Sequence, residues 1–97
     1  MATQSRGITG STEAAILSRV IRPDDESLTA EAAEAWLNTR FDSRDLDRMH
    51  ELAVKNQEGR LTAAEEEEME NYRRVGYLLD LMHSKARRSL KKHQAVH

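Results

Sequence analysis

Two Asp-x-x-His pairs, Asp47/His50 and Asp80/His83, come closer to chemistry than anything else in this chain. On a helix, spacing i, i+3 puts a carboxylate and an imidazole on one face. Carboxylate-bundle metal proteins use a related Glu-x-x-His pair on each of two helices, plus a Glu from each of two others. This chain departs from that pattern. Asp is shorter than Glu, and the two N-terminal helices read below offer no obvious buried carboxylate. A turn near residue 60 also sets position 50 opposite about position 70, far from His83. The sequence therefore assigns no metal ligand and no cofactor.

Residues for covalent or acid–base catalysis are no better placed. The chain has no cysteine, so thiolate nucleophiles, disulfides and thiolate metal sites are excluded. Its serines fall in helix caps, the N-terminal segment or the basic end, and none sits beside a His with a fixed orienting partner. The acidic run Glu65 to Glu68 resembles a paired-carboxylate site only on paper, because adjacent residues on a helix do not face one another. The sequence predicts no catalytic residue, no enzyme activity and no small-molecule substrate.

Composition narrows the remaining classes. Ninety-seven residues allow one domain. The 38% hydrophobic fraction includes twelve alanines, and the aromatics are one Trp, one Phe and two Tyr. A core this thin is marginal for a monomer, which points to association with a second copy or with another protein. Fifteen basic residues against seventeen acidic ones leave a net charge of −2. That near balance argues against a dedicated nucleic-acid binder. The opening residues Met1 to Arg6 lack an apolar signal core. No run approaches the roughly 18 apolar residues that span a bilayer. The expected location is cytoplasmic, without a membrane.

The elements that would position any site read as all-α. Residues 1–10 are expected to form a mobile tail, followed by a single helical domain over 11–92 and a frayed end over 93–97. Ser11 or Thr12 caps a helix over 12–21 that carries Ile16, Leu17, Val20 and Ile21 on one face, and Pro23 ends it. Thr29 caps a helix over 30–38 that buries Ala32, Ala33, Trp36 and Leu37. Asp42 or Ser43 caps a third over 44–58, with Leu46, Met49, Leu52 and Ala53 facing inward. Gly59 occupies the left-handed position that commonly ends a helix. Thr62 and Glu65 form a capping box for a long helix over about 63–92. The short connection makes these last two helices an antiparallel αα-hairpin, so the predicted fold is a small bundle built on that hairpin.

Within the long helix, Met69, Tyr72, Gly76, Leu79, His83, Ala86 and Leu90 form a heptad seam. Val75, Tyr77, Leu78, Leu81 and Met82 widen the apolar band over 75–82 to nearly the whole circumference, and a helix apolar all round is covered all round. Val75, Leu78, Leu81 and Met82 are therefore the expected partner-binding residues. The acidic start and the basic end sit where the helix dipole favours them. The basic end, Lys85, Arg87, Arg88, Lys91 and Lys92, is the candidate patch for nucleic acid or an acidic partner. No aromatic residue is interleaved there to stack on bases. A nucleic-acid-associated regulator is the alternative to an interaction module.

From Phe41 onward a rhythm of residues runs through Arg48-Met49, Glu51-Leu52-Ala53, Glu58-Gly59-x-Leu61-Thr62, Glu65-Glu66, Tyr72-x-x-Val75-Gly76-x-Leu78-Leu79 and Ser84-Lys85-Ala86-Arg87-x-x-Leu90. It resembles a family of short, uncharacterised bacterial helical proteins encoded beside nucleases of the His-Asn-His type. The resemblance covers about two-thirds of the chain, mostly the hairpin. It implies a non-enzymatic accessory or antitoxin-like partner of a nuclease. The chain carries nothing like the nuclease's own metal-binding motif.

Overall fold

The computed structural model describes residues 12–95, so the expected tail over 1–10, Ser11 and residues 96–97 lie outside the described residues. Among the described residues there are four helices and no strand: α1 (Glu13–Ile21), α2 (Ala30–Leu37), α3 (Ser43–Gln57) and α4 (Ala63–Ala95). No helix among them is long and apolar enough to cross a membrane.

Each start is fixed by a side chain that accepts from an otherwise unpaired amide. Thr12 Oγ1 accepts from Ala15 N at 3.1 Å, Thr29 Oγ1 from Ala32 N at 3.1 Å, and Asp42 Oδ1 from Asp45 N at 2.9 Å. At α4 the capping box is complete. Glu65 N donates to Thr62 Oγ1 at 3.0 Å, and Thr62 N donates back to Glu65 Oε1 at 3.1 Å.

The ends are equally explicit. Arg22, just before Pro23, closes α1 in the left-handed region with φ 56°. Gly59, at φ 68°, closes α3, and its neighbour Arg60 N donates back to Lys55 O at 2.9 Å. Gly59 N donates to Asn56 O at 3.1 Å, which completes a Schellman closure.

α4 is the spine. Its 33 residues span about 50 Å. It ends three residues later than the expected Lys92, because His93 Nε2 donates to the carbonyl of Leu28 at 2.9 Å and ties the last turn to the connection before α2. α3 runs antiparallel to α4, in the register set by the turn at Gly59. Asp45 meets Tyr72, Arg48 meets Glu68, and Lys55 meets Glu65. The most extensive packing on α4 nevertheless comes from the eight-residue α2 rather than from α3. The reason lies in side-chain size. Ala33 is wholly buried, so the α2 backbone approaches α4 closely. α1, α2 and α3 each pack on α4 and not on one another. The hairpin of the sequence reading is present, but the bundle is an open plate whose least extent is 16 Å.

The enclosed core is small: Ala33, Leu52, Leu81 and Ala86, with two polar residues, Lys85 and Ser89. Both polar groups are satisfied. Ser89 Oγ accepts from Leu28 N at 3.2 Å. Lys85 Nζ donates to the last carbonyl of α1, at Ile21, at 2.8 Å and sits 5.9 Å from the Trp36 ring centroid. That contact combines a helix C-terminal dipole with a cation–π interaction. His83 Nε2 donates to the Thr39 carbonyl at 2.7 Å. One face of α4 thus holds the connections on both sides of α2 by their backbone carbonyls and amides.

Candidate interaction surface

An apolar opening lies between α3 and α4. Met49, Leu52 and Ala53 from α3 and Met69, Tyr72, Gly76 and Tyr77 from α4 line a cleft of about 390 Å³. Arg73 and Asp80 stand on its rim. Leu52 is fully enclosed, while Ala53 remains exposed. α3 and α4 are joined by the ion pairs of Arg48 and Lys55 and, at the start of α3, by the Asp45–Tyr72 hydrogen bond. At the hairpin end, Arg48 grips Glu68 with two hydrogen bonds of 2.8 Å and reaches Glu51 at 2.9 Å. Lys55 pairs with Glu65 at 2.6 Å.

These charges are mutually tuned. Glu65 is pushed down to about 2, first by the Lys55 ammonium and then by the Thr62 amide. Arg48 holds the Glu68 carboxyl below its ordinary range. Tyr72 donates to Asp45 at 2.7 Å, which raises its phenol above the ordinary value. Tyr72 also meets Phe41 edge to face, with centroids 5.8 Å apart. A second anchor fixes the other flank of α4, where Tyr77 shares a hydrogen bond of 3.1 Å with Ser18 of α1.

The four expected partner-binding residues do not share one surface. Val75 is 47% exposed and faces a groove with Thr39, Arg40 and Phe41. Leu78 and Met82 are half-buried, and Leu81 is enclosed by the chain itself. Of the basic end, Lys85 points inward, whereas Arg87, Arg88, Lys91 and Lys92 are exposed around a shallow depression with Ser84 and Glu26. Arg88 leans toward Asp24 at 3.7 Å. The Asp47/His50 and Asp80/His83 pairs stay apart. The register sets position 50 beside the first turns of α4, and His83 is bonded to Thr39. No cluster of three or more His, Asp or Glu suited to a metal occurs among the described residues.

The reading of the seam missed Met49, Ala53, Met69 and Tyr77 as one opening. The signal available in the sequence was Gly76 in mid-helix, flanked by residues large enough to wall a cleft. No protein-family model, curated protein or solved structure matches the chain.

Proposed function

We propose that this chain is a non-enzymatic helical interaction module whose partner covers the cleft between α3 and α4. One observation carries the reading: an apolar floor stays open in a fold where every short helix packs on α4 alone. Apolar surface of this kind is the main source of association free energy, and the charges of Arg73 and Asp80 frame it. The resemblance from Phe41 onward supplies the biological form of the proposal, an accessory or antitoxin-like partner of a His-Asn-His nuclease.

The test is affinity purification of the tagged chain from its native host, with intact-mass measurement of what it carries. Ala53→Glu places a charge in the cleft from an exposed position and leaves the core untouched. It should abolish complex formation with helicity unchanged. A nuclease in the eluate whose cleavage falls on stoichiometric addition of the chain would support the accessory role. A strict monomer at about 100 μM that carries no protein would overturn the proposal.

The exposed cations Arg87, Arg88, Lys91 and Lys92 favour a second reading, a nucleic-acid-associated regulator. Its signature is retention on DNA or RNA that collapses with added salt. Arg88→Glu combined with Lys92→Glu should remove that retention. No retention of the unaltered chain at low salt would dismiss it.

A further inference from the structure

The open face of α4 carries charge in a pattern that its own fold does not use. Glu66, Arg73, Asp80 and Arg87 are seven residues apart, and all four are exposed. At 3.6 residues per turn they fall on one stripe with a slow left-handed drift. That stripe lies between the flank held by α1, through Glu13–Arg74 and Ser18–Tyr77, and the flank held by α3, through Arg48–Glu68 and Asp45–Tyr72. Glu66, Asp80 and Arg87 make no ion pair among the described residues, and Arg73 has only the within-helix Glu70 at 3.1 Å.

Read against itself in the same direction, the stripe sets Glu66 on Glu66 and Arg73 on Arg73, which repels. Read antiparallel about the midpoint between Gly76 and Tyr77, it sets Glu66 on the partner's Arg87 and Arg73 on the partner's Asp80. Each pair then occurs twice about the two-fold axis. That midpoint belongs to the apolar cleft, because Gly76 and Tyr77 line it, and Arg73 and Asp80 are the charges on its rim. Gly76 strengthens the case. A Cβ built there meets only Phe41 Cε2 at 4.0 Å, an ordinary contact, so the chain's own packing does not require glycine. A glycine at the crossing point of two helices lets their backbones approach closely, at a cost in helix propensity.

We infer that the cleft and stripe form a self-complementary, two-fold dimer face, on which the α4 of a second copy lies antiparallel and crosses at Gly76. This inference rests on the cleft being an interaction surface and names its occupant. An isologous interface needs one patch complementary to itself, and Glu66, Arg73, Asp80 and Arg87 have that property only in the antiparallel sense. A standard interface takes about 800 Å² from each partner, well within a plate whose longer extents are 53 and 43 Å.

The experiment is sedimentation of the purified full chain over a concentration series, with helicity followed in parallel. The unaltered chain should sediment as a dimer. Arg73→Asp and Asp80→Arg, each alone, oppose like charges twice and should weaken association at least about tenfold, with helicity retained because both positions are exposed. The double exchange, Arg73→Asp with Asp80→Arg, should restore the dimer. Only an antiparallel pairing of these two positions gives that rescue. A monomer at all concentrations overturns the inference, as does a dimer that the single exchanges leave intact or the double exchange fails to rescue. The interaction-module reading then stands or falls separately on whether Ala53→Glu strips a different protein from the chain.

Discussion

Glu65 combines three roles at the start of α4. It caps α4, accepts from Lys55 and lies within 3.5 Å of Arg48. Its carboxyl is pushed down to about 2 in the folded chain, against roughly 4.3 in an unfolded one. A depressed acid contributes stability above its unfolded pKa and loses it as pH falls through the folded value. The thermal midpoint should therefore drop progressively from about pH 5 toward pH 2. Glu65→Gln should flatten that drop, and melts followed by circular dichroism at half-unit intervals would show it. Gly76 makes the opposite kind of prediction. Because the added methyl group meets only an ordinary contact, Gly76→Ala should stabilise the folded chain by up to about 1 kcal/mol. The same methyl group enters the cleft, so association should weaken while the melting temperature rises. Gains in both would show that glycine serves no partner.

Among the elements, α4 starts on a reciprocal cap, and loss of that cap has a definite size. Thr62→Ala removes one half of the reciprocal box and should cost about 1 kcal/mol in denaturant unfolding. The short helices behave differently, because they are held from α4 rather than by themselves. Lys85 pins the end of α1 and the Trp36 face of α2, and Ser89 holds the amide of Leu28. Ser89→Ala leaves that amide without its acceptor in a part-buried setting and should cost about 1 to 3 kcal/mol. Hydrogen exchange should then speed up over 22–37 and stay unchanged in α3, since α2 and α3 do not pack on one another. Faster exchange throughout would mean the elements unfold as one unit.

For the whole molecule, the consequence of hanging three short helices on one rod is a plate with a least extent of 16 Å and few enclosed side chains. Such a plate leaves apolar faces uncovered on α1, at Ile16 and Val20, as well as at the cleft. The proposed antiparallel pairing covers the cleft with matched charge. Raising ionic strength should weaken that pairing through its exposed ion pairs while the apolar cleft retains a residual attraction. A dimer constant that falls only a few-fold between low and physiological salt is the expected result.

The caps, the left-handed closure at Gly59 and the start of α4 were legible in the sequence because each depends on close neighbours in the chain, whereas the last turn of α4 is held by a contact 65 positions away. The antiparallel register of the hairpin was legible too, since a short turn leaves only one way back. Which α4 residues remain outside was not. The helix alone assigns Leu81 to a partner and Lys85 to the basic patch, yet the chain itself encloses both, and Met49 and Ala53 become walls of a cleft only once α3 stands beside Met69 and Gly76. Those outcomes depend on contacts between residues twenty to sixty positions apart, where side-chain size at Ala33 and a carbonyl at Ile21 decide how closely each helix approaches. Local chemistry determined the rods, and only their tertiary placement decided which faces are left for a partner.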